Sequence, residues 1–169
     1  AASERGEEIS VAVEEEEKLV EAVETKRRKG KSSEARTLLE TALIGSTRRF
    51  SSPVLEAKCW YLLVHVLVEE GEFGSETVEA AKTSGERCRT AGLSMNSAVV
   101  ALQLATLGKL QLYNGELIDA AETLTRAVDA LNVLYGEKDD VALNCEIMLE
   151  QARYEQRGKE HDQVEGMRR

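Results

Sequence analysis

Positive charge is in short supply in this sequence. Its 22 lysines and arginines face 31 aspartates and glutamates, for a formal net charge of -9. A phosphate-gripping surface needs the opposite balance, so nucleic acid is not expected as a partner. Aromatic residues make up 4% of the chain, and Pro53 is the single proline. Long apolar runs are missing as well. The longest, Tyr61 to Val68, contains His65 and is far too short to span a bilayer, so no membrane role is expected. No secretory apolar stretch opens the chain, which starts with alanine rather than methionine and reads as a piece of something longer. The three cysteines, Cys59, Cys88 and Cys145, are odd in number and widely spaced. That suits reduced thiols in an intracellular protein, cytoplasmic or nuclear, better than a disulfide framework. Only two histidines occur, His65 and His161, and there is no CxxC, HExxH or phosphate-cradling glycine loop. Catalysis and metal binding have no motif to rest on, and no cofactor is expected in this chain.

What is abundant is alanine, leucine, valine and glutamate, a mixture that favours helices. The 169 residues suffice for one domain with a sizeable core. Apolar spacing predicts a first helix from about Glu7 to Lys29 with Ile9, Val13, Leu19, Val20 and Val23 inward. Lys26 to Lys29 read as its solvated basic end. A second helix follows from Ser32 or Ser33, both good caps, to Gly45. After the loop STRRFSSP, Ser52 and Pro53 signal a third helix to about Glu70, the most apolar in the chain. A weaker helix from about Glu76 to Thr90 is expected to break at Ser84-Gly85, with a loop over Gly92 to Asn96. Val99 to Tyr135 reads as two apolar stripes turning back at Asn114-Gly115. A last helix is expected from Asp140 to about Arg157, carried by Val141, Leu143, Ile147, Met148 and Leu149. Residues 1–158 would form the domain, and 159–169 a polar tail or helix extension.

The pattern repeats. Gly30, Gly71, Gly115 and Gly158 fall at intervals of 41, 44 and 43 residues, each where a helix is expected to end. Ala35, Leu39 and Ala42 follow Gly30 at the same offsets at which Ala120, Leu124 and Ala127 follow Gly115. Gly108 and Ala120 are small where two antiparallel helices would cross. The expected fold is all-α, about seven helices in tetratricopeptide-like antiparallel hairpins stacked as a right-handed solenoid.

Gly108-Lys109-Leu110-Gln111-Leu112, the Gly115 turn, Ala120 and Tyr135-Gly136 before a leucine- and glutamate-rich helix resemble a known family. This is the C-terminal tetratricopeptide-like domain of SET and MYND domain-containing lysine methyltransferases. The resemblance implies a non-catalytic regulatory or protein-interaction domain flanking a substrate cleft, with an adjacent SET domain as one partner. S-adenosylmethionine and zinc would then belong to upstream domains. A second reading is a stand-alone helical-repeat adaptor or scaffold. Long repeat arrays like those of kinesin light chains carry a similar turn, here Tyr135 to Asp139.

In either reading the first helix of each hairpin lines a concave face. Consensus positions place Lys58, Tyr61, His65, Leu102, Ala105, Lys109, Leu112 and Tyr113 there. Tyrosines and a few cations around an apolar floor suit a protein or peptide partner. Tyr61 with His65, and Lys109 with Tyr113, stand four residues apart and share a helix face. His65 reads as a groove-facing or hydrogen-bonded histidine rather than a catalytic base, and Cys59 and Cys145 as packed thiols.

Overall fold

The computed structural model describes residues 2–45, 47, 49–94 and 97–168, the Ala2 side chain excepted. Parts of two expected loops, at Ser46, Arg48, Met95 and Asn96, lie outside the described residues. The described residues form seven helices and no strand: α1 (Ala2–Arg28), α2 (Ser32–Leu43), α3 (Pro53–Glu69), α4 (Ser75–Thr90), α5 (Ala98–Tyr113), α6 (Leu117–Tyr135) and α7 (Asp140–Met167). None of these helices is long and apolar enough to cross a membrane. The fold is all-α and built from tetratricopeptide-like helical hairpins.

The repeat is visible in how helices stop. At the ends of α1, α3 and α5, Gly30, Gly71 and Gly115 adopt φ of +70°, +80° and +74°, a region that favours glycine. Each end is closed the same way. The N–H after the glycine donates five residues back: Lys31 to Lys26, Glu72 to Leu67 and Glu116 to Gln111, at 2.9, 2.9 and 3.0 Å. This satisfies carbonyls that the helix end would leave bare. Gly158 does not belong to the series. It lies inside α7, which runs ten residues past the expected end at Arg157. Glutamine–glutamate pairs one turn apart, Gln151 with Glu155 and Gln156 with Glu160, support the helix through that glycine.

The chain divides into two compact units, Ala1–Glu72 with Glu79–Gly92, and Phe73–Val78 with Leu93–Arg169. In the first unit α1, α2 and α3 pack on one another. Its core holds Val23, Ala35, Leu39, Cys59, Val66 and Leu67. The inward face of α1 is the expected one at Val20 and Val23, which are buried, and in part at Val13 and Leu19, which are half-buried; Ala12 and Glu16 join it, whereas Ile9 is exposed. Glu16 is buried because its carboxylate accepts the Ser51 and Ser52 backbone N–H groups at 2.5 and 3.0 Å. These lie at the start of α3, where an anion is favoured. Ser52 caps α3 as expected, accepting from Leu55 N–H at 3.3 Å. Ser32 and Ser33 do not cap α2; the N-cap is Lys31, without a side-chain bond. Their hydroxyls donate instead to Glu69 and Glu70 at 3.2 and 3.0 Å. Helix α4 continues unbroken through Ser84-Gly85.

In the second unit α5 packs on α6, and α6 on α7. A side chain on Gly108 would place its Cβ 2.6 Å from Leu124 Cγ, so glycine is what lets α6 approach. Leu124, rather than Ala120, fills the space at that glycine. Leu124, Ala120 and Ala127 are all fully buried, and burying one leucine is worth about 1.5–3 kcal/mol. Ala101, Val128, Leu131, Ala142 and Cys145 form the core between the three helices. The buried stripe of α7 is Ala142, Cys145, Leu149 and Ala152. Val141, Leu143 and Ile147, expected inward, are exposed, because small residues let α7 lie close against α6.

Candidate interaction surfaces

The six residues singled out in the sequence fall three to each unit. In the first, α3 carries Lys58, Tyr61 and His65 on the face turned to α1. Lys58 pairs with Glu24 of α1 at 3.0 Å. Arg27 of α1 forks onto Glu69 of α3, its Nε donating at 3.1 Å and its Nη2 closing the second contact. Between these two ion pairs sit Tyr61 and His65, half-buried, their ring centroids 4.4 Å apart and the planes tilted by 59°. The first unit therefore presents a closed aromatic seam bracketed by paired charges.

The chemistry of the seam is set by burial. Burial pushes the His65 pKa below its ordinary value, the Arg27 charge adds to this, and Glu69 opposes it. Its Nε2 is buried and has no hydrogen-bond partner among the described residues. Burial raises the Tyr61 phenol, which Arg27 partly offsets. The Arg27 hydrogen bond holds the Glu69 carboxyl below the usual carboxylate range. The three thiols are buried, and burial raises each; Cys59 is pushed up to about 12. A thiol held protonated at neutral pH is a packing group, not a nucleophile.

In the second unit α5 presents Lys109, Leu112 and Tyr113. Tyr113 is 71% exposed, yet its ring is held: the Phe73 ring lies 5.3 Å away, tilted by 54°. Asn114, next in the chain, donates to the Phe73 carbonyl at 2.6 Å and to the Leu110 carbonyl at 2.8 Å. Lys109 is exposed one turn before Tyr113, and Leu112 is half-buried. Leu102 and Ala105 turn inward and pack against the α6–α7 core. Sequence reading passed over Phe73, because a lone aromatic in the loop Glu72 to Gly74 has no periodicity to reveal its partner. It also passed over Arg27 and Glu69, which look like solvated helix ends until α1 and α3 are side by side. Among the described residues no cluster of histidine, cysteine and carboxylate groups could hold a metal ion.

No family model and no curated protein matches this sequence. Solved structures do. A Podosopora anserina protein described as kinesin light chain-like, with nearly identical TPR-like repeats, superposes with a TM-score of 0.64 at 20% identity, over 88% of this chain and 70% of that one. BtubC (BKLC) from P. vanneervenii superposes with a TM-score of 0.64 at 21% identity, over 92% of this chain and 67% of its own. The fold is that of TPR-like repeat proteins.

Proposed function

We propose that this chain is a non-catalytic protein-interaction module of the long-hairpin repeat type, part of an intracellular adaptor or scaffold, and that α5 contributes a peptide-binding surface. The observation that carries this reading is Tyr113. A large aromatic ring stands mostly in solvent but is fixed in place by Phe73 and Asn114. Such a ring binds a partner at little cost in side-chain freedom. Lys109, one turn away on the same face, would favour an acidic group beside it. The likeness to kinesin light chain-type repeats supports the adaptor reading. So does the Tyr135–Asp139 turn, in which Asp139 caps α7 by accepting from Val141 and Ala142 N–H. The accessory domain of a SET-type lysine methyltransferase is the second reading, resting on Gly108 to Leu112 and Tyr135-Gly136. The residues encoded upstream of Ala1 separate the two: further repeats of this period, or a SET core.

The test is selection of peptides from a displayed library on the whole chain. Selected peptides should carry acidic residues and bind Tyr113→Ala about tenfold more weakly, or about 1.4 kcal/mol, with the melting temperature unchanged. Lys109→Glu should reverse the acidic preference. Peptides that bind Tyr113→Ala as tightly as the parent would remove α5 from the proposal.

A further inference from the structure

Helix α1 extends beyond its packing. Residues 3–11 are exposed throughout, and Ala12 is the first residue of the helix to be buried. An isolated helical stretch of this length is marginal in water. Opposite the buried stripe of Ala12, Glu16, Val20 and Val23, an outer face runs from Glu4 through Val11, Glu15, Lys18 and Ala22 to Lys29. Two shallow grooves follow one another along it. Glu4, Glu7, Glu8 and Glu15 line the first, and Lys18, Lys26 and Lys29 the second, with Lys31 at its end. Val11 stands in the first, 56% exposed, and Ala22, half-buried, in the second.

Charge is divided along this helix. Residues 2–17 hold seven glutamates and one arginine, and residues 18–31 six lysines and arginines and two glutamates. Of those two, Glu24 is paired with Lys58, which leaves Glu21 as the exception on the outer face. Lys26 and Lys31 share Glu34. Lys18 and Lys29 are exposed and take part in no ion pair among the described residues.

We propose that a second copy of this chain covers this face, the two α1 helices lying antiparallel about an axis between Glu16 and Glu17. The basic groove of each copy then receives the acidic groove of the other. Lys18 meets Glu15 of the second copy, Lys26 meets Glu7 and Glu8, and Lys29 meets Glu4. Each contact occurs twice, as a two-fold axis requires. Val11 comes onto Ala22 of the second copy, a large side chain onto a small one. A parallel copy would set glutamate on glutamate and lysine on lysine. Glu16, at the axis, is turned inward to the start of α3, and Glu17 lies to the side of the contact. Glu21 comes opposite Ala12 and near Glu14 of the second copy, the one unfavourable meeting. Exposed ion pairs are individually weak and screened, so the dimer belongs to low salt and high concentration.

Sedimentation equilibrium on the full chain tests this. In low salt the mass should rise from one chain to two across the micromolar to hundred-micromolar range, and fall back in high salt. Glu21→Lys should move the rise to lower concentration. One variant combines Lys18→Glu with Lys29→Glu, and another Glu4→Lys with Glu15→Lys. Each should be monomeric alone with its helix content unchanged. Mixed, they should pair, because every contact returns with its charges exchanged. Direction is read from cysteines, since the native thiols are buried. Val11→Cys mixed with Ala22→Cys should link under mild oxidation. Neither should link to itself, because like positions would lie about 16 Å apart at ~1.5 Å of rise per residue. A chain that stays monomeric in low salt, leaving the grooves to another protein, overturns the proposal. So do charge-exchanged variants that fail to pair, or self-linking by Val11→Cys.

Discussion

At the residue scale the tightest constraint is Gly108. Its missing side chain is not a matter of backbone freedom, since it sits within a regular helix; it is a matter of distance to Leu124. The methyl of Gly108→Ala would lie inside the contact radius of a fully buried side chain. Leu124 must change rotamer or α6 must move, and overpacking of this kind costs about 1–3 kcal/mol. Denaturant unfolding should show that loss, and more for Gly108→Leu. The two positions share one space, so Gly108→Ala combined with Leu124→Ala should cost less than the sum of the single changes. Strict additivity would show that they do not meet.

At the scale of elements, Glu16 shows how one helix sets the start of another. Its carboxylate, on α1, satisfies two N–H groups ahead of α3. Glu16→Ala leaves both donors without that acceptor and should cost about 1–3 kcal/mol. The fluorescence of Trp60, the only tryptophan and itself on α3, is the readout in a urea titration. Unchanged stability would assign those N–H groups to water. Glu16 also marks the limit of sequence reading here. Apolar periodicity and glycine stops were enough to place seven helices, the Ser52–Pro53 start and the tight α5–α6 turn. They could not say which of four consecutive glutamates faces inward, although Glu16 falls in step with Ala12, Val20 and Val23. Ser32 and Ser33 looked like caps because only their own helix was in view; their partners are 37 residues away. Gly158 looked like a stop because pairs one turn apart can carry a helix past a glycine. Of the proposed interaction surface, the helix face shared by Lys109 and Tyr113 was readable from spacing. What fixes Tyr113 was not, since Phe73 is 40 residues upstream in a loop.

For the whole molecule, pH separates the contributions of the groups whose pKa values folding shifts. Folding lowers the His65 pKa from its ordinary 6.5. The unfolded chain therefore takes up the proton first, and stability present above 6.5 is lost as pH falls toward the lower folded value. Glu34 and Glu69 are lowered from an ordinary value of 4.5, Glu34 chiefly by its Lys26 hydrogen bond and Glu69 by that of Arg27. Their contribution is present above 4.5 and is lost only below it. The melting temperature should therefore fall from about pH 7 to about pH 5 in the parent and stay level over that interval in His65→Gln. An equal fall in both would shift the cause away from the seam. The three glycine stops carry a consequence of another kind, in handedness. Gly30 and Gly71 hold a left-handed backbone; an ordinary Cβ there would meet no atom within 4 Å, yet it would not suit the torsion. An alanine of the mirror-image configuration would sit there unstrained, while an ordinary alanine would not. It would also narrow the conformations open to the unfolded chain. The repeat has thus left two points where this polypeptide, built wholly of one hand, accommodates the other.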